Sequence, residues 1–68
     1  MKLYDILMLI SLESSILITD WTGKKHVTMF NGNIEDLDFS NIEEYKNYKV
    51  ICLNAYNSKI IIDVVEIN

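Results

Sequence analysis

The last third of the chain constrains the fold most. Residues 48–56 and 59–67 are two runs rich in strand formers, parted only by Asn57-Ser58. Two β-rich runs separated by two turn-prone residues read as a tight hairpin, and Asn tolerates the positive φ such a turn demands. Side chains alternate along a strand. Ile60, Ile62 and Val64 therefore line one face, and Ile61 and Val65 line the other with Asp63. A strand that is apolar on both faces belongs in the middle of a sheet or under cover on both sides. In the first run, strict alternation puts Val50 and Cys52 on one face and Ile51, Leu53 and Ala55 on the other. Cys52 then reads as a small core hydrophobe.

The rest of the chain supplies partners for that hairpin. Leu3, Ile6, Leu7 and Ile10 follow the i, i+3, i+4, i+7 spacing of one helix face, which predicts a helix over 2–10; Tyr4, Met8 and Leu9 broaden the apolar pattern and leave a strand as the rival. Asp5 lies near its positive end, and so short a helix needs a sheet to pack on. Residues 14–21 read as a strand with Ile16 and Ile18 on one side and Leu17, Thr19 and Trp21 on the other. Thr22-Gly23-Lys24 is a turn, and 26–31 return as a second strand. Asn31-Gly32-Asn33 is a turn signal expected to break that strand. Residues 34–37 are expected to form one helical turn capped by Asn33. Ser40 and Glu43 have capping-box spacing for a short helix over 41–46, with a 3₁₀ turn or a loop as the alternatives. The order is α-β-β-(short helices)-β-β. It predicts a single compact α+β domain over 1–68, an N-terminal helix packed on a four-stranded antiparallel sheet. A small partly closed β-barrel is the alternative.

Composition narrows what such a domain does. A chain of 68 residues buries about 60% of its unfolded surface, enough for one core but not for a roomy internal pocket. Function is therefore expected on a surface, a shallow groove or a subunit interface. The single cysteine excludes an intrachain disulfide and fits a cytoplasmic setting. The first eleven residues lack the parts of a secretory signal, and no apolar run approaches membrane-spanning length, so no membrane association is expected. Ten acids face six lysines, for a formal charge of −4, and there is no arginine. Arginine is the residue that forks onto phosphate and guanine, so direct nucleic-acid binding is not expected. A basic protein partner suits this surface better, although a charge of this size also serves plain solubility. The excess of Ile, Asn and Lys over Arg matches an AT-rich genome as well.

Chemistry finds little foothold. His26 is the only histidine and has no companion at a useful spacing. It is expected to be an exposed strand residue after Lys24-Lys25. No Cys-x-x-Cys or histidine pair offers zinc ligands. No cofactor, metal or catalytic residue is expected, and the chain reads as a non-enzyme. Glu35, Asp36, Asp38, Glu43 and Glu44 place five acids within ten residues with no intervening lysine. They do not match the calcium-loop series. They read as a solvated face or as a docking surface for a basic protein. Trp21 at a hairpin end, and Tyr45 and Tyr48 beside the acids, are the aromatic contact candidates. These eight residues are the expected interface. Open sheet edges would also allow self-pairing into a homo-oligomer.

The opening Lys2-Leu3-Tyr4-Asp5-Ile6-Leu7, the hairpin from Ile16-Leu17-Ile18 through Trp21-Thr22-Gly23-Lys24, and the closing Val50-Ile51 and Ile60-Ile61-Ile62 runs resemble, in element order, small uncharacterised proteins carried by phages and mobile elements of low-GC bacteria. Such proteins often have no known activity, and some small acidic ones inhibit host defence enzymes. The residues themselves read as a non-enzymatic protein-interaction module docking through the acidic segment and neighbouring aromatics; the resemblance adds a phage origin as an expectation and assigns no role to any residue. The alternatives are an acidic inhibitor that occupies the nucleic-acid groove of a host defence nuclease, and a self-assembling structural protein.

Overall fold

The computed structural model describes residues 1–23, 26–37 and 45–67. Helix α1 (Leu3–Leu9) is followed by strands β1 (Ser15–Asp20) and β2 (Val27–Asn33), a 3₁₀ turn (Ile34–Asp36), and strands β3 (Tyr48–Tyr56) and β4 (Lys59–Glu66). The strands form one open sheet in the order β2-β1-β4-β3. The fold is α+β as expected, and the sheet is not closed into a barrel.

One pairing departs from the expected antiparallel sheet. β1 and β4 run parallel, with Ser15 opposite Lys59 and Ile18 opposite Ile62. The other two pairs, β1–β2 and β3–β4, are antiparallel hairpins. Two hairpins lying side by side put their most apolar arms together in the middle. β2 ends beside Ser15, whereas β3 begins beside Glu66. β3 thus starts at the opposite end of the sheet from where β2 stops and repeats its direction, so the inner strands must agree in direction. The two-faced apolar pattern of residues 60–65 has its reason here, because β4 is a central strand.

The core lies on one face of the sheet. Ile16 and Ile18 of β1 and Ile62 and Val64 of β4 are completely buried there, with Leu3, Ile6 and Leu7 of α1 and with Ile34 and Leu37. The helix is only seven residues long and has no side-chain cap at Lys2. Packing of its apolar face therefore holds it. Its entry is fixed to β3, where the Val50 N–H donates to the Met1 carbonyl at 2.8 Å and Lys2 bridges to Lys49. Ile10 leaves the helix in an extended conformation but still packs on the core.

Local details correct several expectations. Asn31-Gly32-Asn33 does not break β2, which continues to Asn33. Gly32 pairs with Ile16 in the ladder, and the Phe30 ring lies 3.4 Å from where a Cβ on Gly32 would sit. The aromatic ring covers the bare backbone that glycine would otherwise leave exposed in a strand. A single 3₁₀ turn follows as expected, but the Asn33 side chain does not cap it. The Ser40–Glu43 capping box and most of the short helix over 41–46 lie outside the described residues.

β3 carries the largest correction. The ladder slips between Val50 and Cys52, so that Val50 faces Val64 while Cys52 faces Asp63 and Leu53 faces Ile62. The bulge inserts Ile51 as an extra residue. Val50, Leu53 and Ala55 thus share the helix-covered side, and Cys52, Asn54 and Tyr56 share the other. Cys52 is exposed rather than buried, with Asn54 Nδ2 3.3 Å from its Sγ. The hairpin turn matches expectation: Asn57 (φ 51°) and Ser58 (φ 62°) both occupy the left-handed region, as a type I′ turn requires.

Candidate interaction surfaces

The expected interface residues divide between the two ends of the sheet. Trp21 follows β1 at one end. Its backbone N–H donates to the Val64 carbonyl at 2.8 Å. Its ring is tilted 32° against His26 with centroids 4.7 Å apart, inside the range of favourable aromatic contacts. Trp21 is 45% exposed, and His26 is exposed as expected. The adjoining turn is braced by Thr22. Its backbone N–H and its hydroxyl both donate to Asp20 Oδ1, and its Oγ1 accepts from the Glu66 N–H at 2.6 Å. That one hydroxyl ties the exit of β1 to the end of β4.

Tyr48 lies at this same end, opposite Glu66, and Tyr45 precedes it. Both are half-buried and pack against the core. Beside them the Lys46 ammonium lies 5.5 Å from the Tyr4 ring centroid, within cation–π distance. The two tyrosines thus close the core as well as bordering the surface.

Glu35 and Asp36 are exposed, but at the opposite end. The Ile34 and Glu35 N–H groups donate to the Ser14 and Leu12 carbonyls, which anchors their turn beside the start of β1. β1 is six residues long, so at about 3.3 Å per residue the two ends stand roughly 20 Å apart. Trp21 and this acidic pair do not form one patch. Asp38, Glu43 and Glu44 lie outside the described residues.

A surface that residue-by-residue reading overlooked is the outer edge of β3. Every residue from Ile51 to Ser58 is exposed, and Ile51 (53%), Leu53 (51%) and Tyr56 (71%) are large and apolar. No residue from Val50 to Ser58 carries a formal charge. Among the described residues, only the start of the edge is occupied, by Met1 and Lys2 at Val50 and Lys49. The signal was present in sequence. If 59–67 is a central strand, its hairpin partner is pushed outward, and that partner is an uncharged run.

Beyond the exposed Met8, Leu9 and Leu12 at and after the end of α1, the sheet has two other surfaces. The outer strand β2 presents exposed Val27, Thr28 and Asn31, and Lys59 Nζ of β4 donates to Asn31 Oδ1. The sheet face away from α1 carries half-buried Leu17, Ile61 and Val65 around Thr19 and Asp63. Among the described residues there is no enclosed pocket and no cluster of three His, Cys, Asp or Glu side chains placed to hold a metal. No helix among them is long and apolar enough to cross a membrane. No family model, curated protein or solved structure matches the chain.

Proposed function

We propose that this chain is a non-enzymatic protein-interaction module that takes its partner by strand addition at β3. The supporting observation is the free portion of β3, an outer strand whose side chains are exposed, apolar and uncharged. An open strand edge presents unpaired N–H and C=O groups as a template for another strand. In strand addition the main chain supplies affinity and alternate side chains supply selectivity. A labelled synthetic peptide copying residues 49–57 serves as the strand probe. Titration with the full chain is expected to give saturable binding, weakened about tenfold by Ala55→Pro. Absence of binding at any concentration would sink the reading.

A second reading keeps the acidic surface. Glu35 and Asp36 are exposed side by side at the end of the sheet away from Trp21, where a basic protein groove could seat them. In this reading Glu35→Lys with Asp36→Lys slows association with a cationic partner and removes its salt dependence. Strand-probe binding at β3 stays unchanged.

A further inference from the structure

We infer that the strand that completes the β3 edge is the β3 of a second copy, paired antiparallel about a two-fold axis at Asn54. The inference rests on the strand-addition reading and names the partner.

The ladder sets the register. In an antiparallel pair, residues that exchange hydrogen bonds alternate with residues that do not. The two-residue turn at Asn57-Ser58 closes on Tyr56 and Lys59. Counting back from that closing pair, Tyr56 and Asn54 direct their backbone groups inward to β4, while Ala55 and Leu53 direct theirs outward. Val50 is also outward, consistent with its bond to Met1. Beyond the Met1 contact and the bulge, Leu53 and Ala55 are the outward pair. Two copies satisfy both when Leu53 of each faces Ala55 of the other, and each such pair exchanges two backbone hydrogen bonds. That register centres on Asn54. It brings the partner's Asn57-Ser58 turn up to Val50, whose outward N–H is already taken by the Met1 carbonyl.

Charge along the edge does not oppose a like copy. Each chain carries −4 overall, yet the strands meet across a segment with no charged side chain, so no like charges are apposed along the paired residues. Natural edges are commonly guarded by lysine or proline. The chain has no proline at all, and the nearest lysines, Lys49 and Lys59, flank the free portion without entering it. The other outer strand, β2, exposes one large apolar residue, Val27 (59%), against three on β3, and beside it the polar Thr28 and Asn31. The product is a continuous eight-stranded sheet made of two four-stranded ones. Its contact area is small, in the class of weak interfaces that dilution separates.

Sedimentation equilibrium over a dilution series, on the full chain, tests this. The mass is expected to rise with concentration from 7.9 kDa toward twice that value. Leu53→Lys adds a charge at an exposed position, and Ala55→Pro removes an outward N–H while sparing the bonds to β4. Each is expected to raise the dissociation constant about tenfold or more with an unchanged circular dichroism spectrum. The register is tested separately. Directly opposed residues of a non-hydrogen-bonded pair have Cα atoms about 4.5 Å apart, within the disulfide range of about 4.4–6.8 Å. Cys52→Ser with Asn54→Cys should give a covalent dimer under mild oxidation, and Cys52→Ser with Thr28→Cys on β2 should not. A mass of 7.9 kDa at every concentration overturns the inference, as does a dimer indifferent to both edge substitutions. If the monomer still binds the strand probe, the partner is another protein and strand addition stands. If it binds neither, both readings fall.

Discussion

Ser58 occupies a left-handed backbone conformation (φ 62°) that costs an ordinary side chain roughly 1 kcal/mol and glycine almost nothing. Ser58→Gly is therefore expected to stabilise the fold by about 0.5–1 kcal/mol, read as a higher midpoint in urea with an unchanged slope. Ile62 is the opposite case. It is completely buried between α1 and the central strands, and Ile62→Ala removes buried methylenes and leaves a cavity, at a cost of about 2–5 kcal/mol. For a domain this small that loss is most of the available stability. The urea transition should shift to far lower concentration or vanish. Thr22 works by hydrogen bonding instead. Thr22→Val keeps the shape but loses the hydroxyl that donates to Asp20 and accepts from the Glu66 N–H. The expected loss is about 1–2 kcal/mol, and a change below a few tenths would show that water replaces the clamp.

At the scale of elements, each strand and the helix were legible because their apolar spacing is local. Leu3, Ile6 and Leu7 announce α1, and the two-sided pattern of Ile60 to Val65 announces a central strand. Pairing partners are not local, and nothing in the spacing of residues 15–20 says that they will lie parallel to 59–64. The bulge at Ile51 was equally invisible. One extra residue reverses the faces downstream, which is why Cys52 was expected inside and lies outside. Trp21 and the Glu35–Asp36 pair stand at opposite ends of the sheet for a geometric reason. β2 carries the chain the length of the sheet away from Trp21 before Glu35 and Asp36 appear. Hydrogen exchange on the Leu53→Lys chain should display the edge directly. The inward amides of Cys52, Asn54 and Tyr56 should exchange slowly, and those of residue 53 and Ala55 fast. Equal protection along β3 would contradict the assigned alternation.

As a whole molecule the protein is a one-sided sheet with an acidic balance and a sequence pI of about 4.6. Repulsion between copies weakens as pH approaches that value, while the uncharged β3 edge is untouched. Light scattering should therefore rise toward pH 4.6 in the wild type and less so in the Leu53→Lys chain. Equal scattering by the two would place self-association elsewhere on the surface. The parallel seam between β1 and β4 has a kinetic consequence as well. Both hairpins can close from neighbouring residues, but the seam joins Ser15 to Lys59, and the entropy of the segment linking the two hairpins must be lost before that contact forms. Folding should therefore wait on the middle of the sheet, with the two halves zipped early and the join made at the barrier. Substitutions at Ile18 or Ile62 would then slow folding itself, whereas changes in the Asn57-Ser58 turn would act mainly through how soon one half is ready.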